Sequence, residues 1–317
     1  GACPHQPGWH NRQSSRRHRA GSVSHPRDGG DPRRGTDPAD IGVRTACRRV
    51  RNAGGLLPAG PRGIILAQSA HAAVKTVEIP FGPLLEAVFE RRPNRYLAWV
   101  RLRDGNASES VPVHVPDPGR MRELLLPGRR VWVAPASARA NPRTTQFTLA
   151  IVESPASAGG AATFVSVNTI IPNKLISRAL LDRALPEFEG FTDVRAEVPH
   201  GRSRFDFVLT SATASCVLEV KSVSLTHGRT GLFPDAVSAR ATRHVEELAG
   251  LRQRGERAAV LFVAQRNDVD EIRPAEEIDP VFASAMKDAK KAGVDFIGFR
   301  CEVSLDGIRL GAPVPVG

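Results

Sequence analysis

The chain has 317 residues, of which 41% are hydrophobic and 24% are charged, as in an ordinary globular protein long enough for two domains. Its apolar runs fall far short of the ~20 residues that a membrane-spanning helix needs. Its four cysteines form no CxxC pair, which argues against a zinc site and a disulfide framework and favours the cytoplasm. The formal charge of +11 is uneven, because 13 of the 44 basic residues but only 4 of the 33 acidic ones precede residue 76. Basicity alone therefore does not indicate that the folded part binds nucleic acid.

Residues 1–73 are dense in Gly, Pro, Arg and Ser and show neither a helical nor a strand period. Such a segment cannot bury enough apolar surface to offset the entropy of ordering it. The composition predicts a disordered or spurious upstream extension. A basic arm that binds nucleic acid is the alternative, but interleaved aromatic residues are lacking.

Five short strands are predicted next, at residues 94–103, 110–115, 130–135, 146–152 and 163–167. This run of strands predicts a small β-barrel, for which a five-stranded OB-fold is one option. Such barrels often hold nucleic-acid backbones with basic residues and stack bases on aromatic ones. Arg95, Arg101 and Arg120 are the candidate DNA contacts. We expect Trp99 and Trp132 in the core rather than in stacking positions.

The remaining chain mixes helices with strands. Helices are predicted at 173–184, 236–254 and 278–292, and strands at 191–198, 204–209, 216–223, 258–265 and 296–300. The resulting order, αβββαβαβ, is typical of an α/β domain with a central mixed sheet. The predicted division is therefore an extension at 1–73, a barrel domain at 76–166 and an α/β domain at 167–317.

Three charged residues interrupt apolar strands of the second domain. If TSATAS at 210–215 is a hairpin loop, Asp206 falls opposite Glu219, and Lys221 shares the face of Glu219. Two carboxylates so close would repel each other unless a cation lay between them. Carboxylates with room for water ligands suit Mg²⁺, with Mn²⁺ as a substitute. The alternative is a buried ion pair that satisfies itself, since D…ExK is a short pattern.

The pattern of Asp206 with Glu219-Val220-Lys221 resembles the core of the restriction-endonuclease-like PD-(D/E)xK superfamily. Four longer stretches resemble the sugar fermentation stimulation protein (SfsA) family: VPDPGRM at 115–121, VNTIIPNKL at 167–175, SRFDFVL with LEVKSVSL at 203–225, and GLFPDAVSARATRHVEEL at 231–248. The resemblance implies an OB-like domain joined to a nuclease-like domain, DNA binding, and a role in regulating sugar utilisation.

The resemblance also assigns residues. Asp206, Glu219 and Lys221 match the catalytic positions, and Asp206 and Glu219 match metal positions, with Glu197 as an additional acid. Further candidates are Asn168 and Asp235, and the DNA contacts Arg204 and His244. SfsA-like sequences usually read T-x-R-G where this chain has Ser238-Ala239-Arg240-Ala241, which leaves the start of the helix there in question.

Two functions are therefore expected. The first is a Mg²⁺-dependent phosphodiesterase acting on DNA, and the alternative is a non-catalytic DNA-binding regulator of sugar-utilisation genes on a nuclease-like scaffold. A sugar-metabolic enzyme is a weaker third hypothesis, because the chain has no Gly-rich phosphate loop and no nucleophile elbow. The intact acid–acid–lysine set favours catalysis. DNA is the expected partner, no membrane is expected, and the oligomeric state stays open, a dimer being one option.

Overall fold

The computed structural model describes residues 76–103, 110–136, 145–155 and 162–317. The extension predicted at 1–73 lies outside these residues. The strands are β1 Glu78–Pro80, β2 Leu85–Asn94, β3 Leu97–Leu102, β4 Ser110–His114, β5 Arg130–Pro135, β6 Phe147–Ser154, β7 Thr163–Ser166, β8 Asp193–His200, β9 Ser203–Thr210, β10 Ser215–Val223, β11 Leu225–His227, β12 Thr230–Phe233, β13 Arg257–Ala264, β14 Glu271–Pro274, β15 Asp295–Val303 and β16 Gly307–Val314. The helices are α1 Ile170–Leu181, α2 Ala239–Gln253 and α3 Pro280–Lys291.

A closed five-stranded barrel forms the first part of the described chain. Its strands run in the order β4-β3-β2-β5-β6, the parallel pairing of β4 with β6 closes it, and β7 extends it. Alternate residues such as Ala98 and Val100 point into its core because successive side chains of a strand face opposite sides. The OB-like barrel and its five predicted strands are confirmed. Strand β2 was missed, because charged residues and Pro93 break its alternation.

The two tryptophans of the barrel have different surroundings. Trp132 is only 3% exposed and meets Phe164 edge to face, so the expectation of a core position is confirmed for this residue. Trp99 is half-buried on the outer side of the barrel, where the guanidinium of Arg91 lies 4.8 Å from its ring centroid. The core position expected for Trp99 is therefore wrong.

A seven-stranded mixed sheet forms the second part, in the order β1-β16-β15-β13-β10-β9-β8. Strand β13 is parallel to both β10 and β15 and is buried almost throughout, because helix α1 covers one face of the sheet and α2 and α3 cover the other. The predicted elements occur in the predicted order, but strand β16, which follows β15 and pairs with it, was not predicted. Strand β1 belongs to this sheet although it falls inside the predicted barrel range. A small sheet, β11-β12-β14, was not predicted.

Local signals explain where the helices begin. Ser238 caps α2, its hydroxyl accepting a hydrogen bond from the Ala241 N–H at 3.2 Å, so the missing glycine of the family motif does not prevent the helix from starting here. Helix α1 begins three residues before its predicted start, because Pro172 lies in the first turn, where its missing N–H costs nothing. None of the described helices has the length and apolar character needed to cross a membrane.

A buried arginine ties the barrel to the mixed sheet. Arg266, 2% exposed, follows β13 and pairs with Asp268, with Arg266 Nε 2.6 Å from Asp268 Oδ1. It also donates to the Ser224 carbonyl and to the hydroxyl of Ser154 on the barrel strand β6. Next to it, the Gln265 carbonyl accepts from the Ser166 N–H of β7 at 3.0 Å. Hydrogen bonds therefore fix the two parts against each other, and all described residues lie within one compact unit.

Candidate functional site

A cavity of about 490 Å³ lies between the barrel and the mixed sheet. The barrel contributes the loop at 115–121, and the sheet contributes the strands β9 and β10. Its charged and amide-bearing lining residues are Arg95, Asp117, Asn173, Asp206, Glu219, Lys221, Asp235 and Arg240. Three of these, Asp206, Glu219 and Lys221, are the residues that the D…ExK pattern predicts to lie together.

The strands that carry these residues separate at the cavity. Strands β9 and β10 pair as predicted from Thr210 opposite Ser215 to Phe207 opposite Leu218, and the ladder then ends. The predicted cross-strand pair of Asp206 with Glu219 is therefore not formed. Instead, Asp206 Oδ2 accepts a hydrogen bond from the Val220 N–H at 2.7 Å. The Asp206 carboxylate thus occupies the place of a backbone pairing partner where the β9–β10 ladder ends. Asp206 and Glu219 still line the same cavity.

Glu219 is 4% exposed, and its two oxygens have different surroundings. Lys221 Nζ donates to Glu219 Oε1 at 2.5 Å, and His244 Nδ1 lies 2.6 Å from the same oxygen. Burial alone raises the pKa of Glu219, but the hydrogen bond with His244 and the charge of Lys221 outweigh it and hold the pKa below its ordinary value. Glu219 Oε2 is buried and has no hydrogen-bond partner among the described residues.

Asp206 is held from two sides. Besides the Val220 N–H, it accepts a hydrogen bond from Asn173 of helix α1, whose Nδ2 lies 2.6 Å from Asp206 Oδ1. Burial and the nearby charge of Glu219 raise the pKa of Asp206 to about 6, although the Val220 N–H, Lys221 and Asn173 act in the opposite direction. The carboxyl is therefore poorly solvated and close to a second acid.

The predicted DNA contact His244 is wrong. Its side chain, on α2, is buried behind Glu219 and lies edge-on to the ring of Phe205, with ring centroids 5.4 Å apart. A residue that is 1% exposed cannot contact DNA in this conformation. The sequence carries a sign of this burial, because His244 lies three residues after Ala241 and four before Leu248, on the buried face of α2. Its contact with Glu219 depends on the fold, which brings α2 against β10.

The loop at 115–121 forms the barrel side of the cavity. The Arg92 guanidinium donates to the carbonyls of Arg95, Asp117, Gly119 and Arg120 at 2.6–2.9 Å and so fixes the loop. The loop touches Asp235 so closely that a Cβ on Gly119 would lie 2.1 Å from Asp235 Oδ2. This close approach requires glycine at position 119.

Asp117 and Asp235 face each other across Gly119. Asp117 is 8% exposed, and its Oδ1 accepts a hydrogen bond from the Gly119 N–H at 2.7 Å. Burial raises the pKa of Asp117 to about 6; the charges of Asp235 and Glu123 add to this effect, while the Gly119 N–H and Arg92 oppose it. The cavity therefore has a second acidic wall, of which the sequence analysis named Asp235 but not Asp117.

The other predicted site residues lie as follows. Glu197 is exposed and lies in a separate groove that shares Asp206 with the cavity. Arg101 is exposed and pairs with Glu90 at 2.7 Å, and Arg204 is exposed on β9. Asn168 accepts a hydrogen bond from the Ile170 N–H at the start of α1. Arg95 and Asp235 line the cavity, and Arg120 lies beside it on the fixed loop.

Sequence reasoning missed Asn173 and Asp117 as site residues. Both lie inside stretches that resemble the family, IIPNKL and VPDPGR, where a polar residue follows a proline or precedes one. Their position in these motifs was a usable signal. Their contacts with Asp206 and Asp235 depend on the tertiary structure alone.

The donors at Asp206 and Glu219 fit a hard divalent cation. In the described part of the chain, no group of three or more His, Cys, Asp or Glu side chains is arranged to hold a metal ion. Mg²⁺, however, usually needs only one or two carboxylates and keeps several waters. The buried, unpartnered Oε2 of Glu219 in a cavity shared with Asp206 meets that need.

Two family models match the chain. The SfsA N-terminal OB domain matches residues 91–165, and the sugar fermentation stimulation protein RE domain matches residues 170–307. The solved structure of Pyrococcus furiosus SfsA in complex with Ca²⁺ is similar, with a TM-score of 0.67 and 26% identity, and the match covers 77% of this chain and 99% of that one.

Curated relatives extend the similarity to nearly whole proteins. The sugar fermentation stimulation protein homolog of Moorella thermoacetica is 40% identical over 241 residues, which cover 76% of this chain and 99% of the relative. The homolog of Symbiobacterium thermophilum is 41% identical over 245 residues, covering 73% and 94%. On these matches, the chain belongs to the sugar fermentation stimulation protein family.

Proposed function

We propose that this protein binds DNA and hydrolyses its phosphodiester bonds at the cavity, with Mg²⁺ held by Asp206 and Glu219. The observation that carries the proposal is Glu219 Oε2, a buried oxygen that lacks a partner among the described residues while Lys221 and His244 occupy the other oxygen. An unsatisfied buried acceptor is costly, and a bound ion that completes it is one physical reason for retaining it. Mn²⁺ would serve the same donors.

The ion would supply Lewis-acid polarisation of a phosphate. The residues of the chain orient the two carboxylates and attract the phosphate. Asn173 and the Val220 N–H hold the Asp206 carboxylate in one orientation, and His244 does the same for Glu219. Lys221 places a positive charge at the cavity, where negative charge develops on a reacting phosphate. Arg95 and Arg240 line the same cavity and attract the DNA backbone.

A relative of this chain has been solved in complex with a divalent cation. The Pyrococcus furiosus relative was solved with Ca²⁺, a cation that also prefers oxygen ligands. The choice of Mg²⁺ follows from the small number of carboxylates at the cavity.

The non-catalytic regulator is the second candidate. One observation favours it: Lys221 Nζ is engaged by Glu219 at 2.5 Å, so the lysine and the acid satisfy each other in part. In that case the cavity would bind DNA without cleaving it, and regulation of sugar-utilisation genes would follow from binding.

A cleavage assay on plasmid and single-stranded DNA separates the two candidates. Lys221→Ala should lower Mg²⁺-dependent cleavage by about 10²–10³-fold, because its charge is aimed at the reacting group. DNA binding in EDTA should stay within about twofold, since one lysine makes a small share of the phosphate contacts. Glu219→Gln should lower Mg²⁺ or Mn²⁺ affinity measured by calorimetry, because it removes the charge and keeps the volume.

Matched controls are Lys287→Ala and Glu277→Gln, both exposed and remote from the cavity-lining residues. They should behave like the wild type in every assay. Wild-type protein that binds DNA but cleaves no faster than Lys221→Ala, in Mg²⁺ or Mn²⁺, would leave the regulator as the function.

A further inference from the structure

The cavity that holds Asp206 and Glu219 has walls from both parts of the protein. One wall is the barrel loop at 115–121, and the other comprises strands β9 and β10 with the segment around Asp235. Here the barrel narrows the approach to the acids.

The walls are fixed rather than loosely apposed. Arg92 binds four carbonyls in and beside the loop, and Gly119 is in direct contact with Asp235. The Thr169 hydroxyl, at the start of α1, donates to the Pro116 carbonyl at 3.3 Å. Widening the cavity would break this set of contacts together.

The dimensions suit a single nucleotide rather than a duplex. The volume of about 490 Å³ lies within the range of pockets that enclose one small ligand. A nucleotide within a duplex would have to leave its stack to enter, at a cost of a few kcal/mol, and this cost is least for a strand that is already single.

The cavity lining carries charges of both signs. Lys221, Arg95 and Arg240 are the basic lining residues, whereas Asp117 and Asp235 face each other beside Gly119. A phosphodiester is repelled by the acidic pair and attracted by the basic residues. The backbone of a bound strand is therefore expected to contact Lys221, Arg95 or Arg240 rather than Asp117 and Asp235.

We infer that this cavity takes single-stranded DNA, one unpaired nucleotide at a time, and excludes an intact duplex. The inference rests on the proposed function and specifies its substrate. Fraying ends, overhangs and gaps would provide such strands within longer DNA.

Fluorescence anisotropy in EDTA and in Ca²⁺ tests the inference with three labelled DNAs of one sequence: a single strand, its blunt duplex, and the duplex with a single-stranded overhang. The wild type should bind the single strand and the overhang about tenfold or more tightly than the blunt duplex, since only the duplex pays for unstacking. Cleavage in Mg²⁺ should show the same order.

A variant of the wall makes the test specific. Gly119→Ala places a Cβ 2.1 Å from Asp235 Oδ2, so the loop or the side chains of Asp235 and Asp117 must shift, and the preference for the single strand should shrink because this wall is disturbed. The matched control is Gly250→Ala on α2, where the nearest atom to the added Cβ is the end of Arg254 at 3.6 Å. This control should keep the wild-type preference.

The outcomes separate the inference from the proposed function. A blunt duplex bound as tightly as the single strand, and competing with it, would overturn the inference while DNA binding stands. A Gly119→Ala protein that folds and keeps the full preference would show that the wall does not select the strand, which also overturns it. If none of the DNAs binds, the proposed function fails and the inference fails with it.

Discussion

At the scale of single residues, Glu219 shows how two neighbours can direct one carboxylate. Lys221 and His244 both contact Oε1, and Oε2 has no hydrogen-bond partner among the described residues. Of the two neighbours, Lys221 is visible in the sequence as part of ExK. His244 is a positioning residue, since it touches Glu219 and is buried away from the cavity lining.

We predict that His244→Phe weakens Mn²⁺ binding by about 10–100-fold, the usual effect of removing a hydrogen-bond partner of a metal ligand. Phenylalanine keeps the packing against Phe205 and removes the nitrogen. His244→Asn, which keeps a side-chain N–H near the position of Nδ1, should recover part of the affinity. Titration calorimetry gives the affinities, and circular dichroism checks the fold.

A purely structural role for His244 would give a different result. Both variants would then lose thermal stability in proportion to the lost packing, and His244→Asn would be the worse of the two. Metal affinity that is unchanged in folded His244→Phe would contradict the positioning role.

At the scale of elements, the sequence predicts whether a segment is a strand or a helix more reliably than it predicts where the pairing of two strands ends. The hairpin register of β9 and β10 follows from the loop TSATAS and is correct for the four pairs that form. The separation at Asp206 could not be predicted, because it depends on the Val220 N–H and Asn173, which the fold brings to that carboxylate. Short strands such as β1 and β14 were missed because three or four residues carry no usable period.

Asp117, in the loop at 115–121, makes the free energy of unfolding depend on pH. Because the folded-state pKa of Asp117 is about 6 and its ordinary value is 3.8, the native state favours the protonated carboxyl. The corresponding stabilisation is fully present below about pH 4 and is lost as the pH rises through about 6.

Asp117→Asn should therefore raise the free energy of unfolding by about 1–3 kcal/mol above pH ~6 and reduce its dependence on pH between ~4 and ~6. The asparagine oxygen still accepts the hydrogen bond from the Gly119 N–H. Urea unfolding at several pH values measures the effect, and the exposed Asp306→Asn is the control. Asp206, whose pKa is also raised to about 6, contributes a similar pH dependence of the free energy of unfolding, and this part should remain in Asp117→Asn. Parallel pH profiles for the wild type and Asp117→Asn would contradict this assignment.

At the scale of the whole molecule, the barrel and the mixed sheet are joined through a buried charge. Arg266 lies within the contact and pairs with Asp268, and composition alone could not reveal this, since RND at 266–268 reads as a polar turn. The sequence predicted the two parts and their order. It did not predict that hydrogen bonds join them or that both line one cavity.

Arg266→Leu should lower the free energy of unfolding by about 3–5 kcal/mol, because it leaves Asp268 buried without its partner. The double variant Arg266→Leu, Asp268→Leu should be less destabilised than the single one, since no unpaired charge remains. Scanning calorimetry gives both values, and the wild type should unfold in one transition. A double variant as unstable as the single one would mean that the ion pair itself contributes most of the stability.

The hydrogen bond from the Val220 N–H to the Asp206 carboxylate has a spectroscopic consequence. The Val220 amide proton is bonded to a carboxylate whose pKa is about 6, not to a backbone carbonyl of the sheet. Its nuclear magnetic resonance chemical shift and its rate of exchange with solvent therefore depend on the charge of one side chain at the cavity. The amide signal of Val220, a residue in a buried strand, should therefore change when Asp206 gains a proton or a ligand.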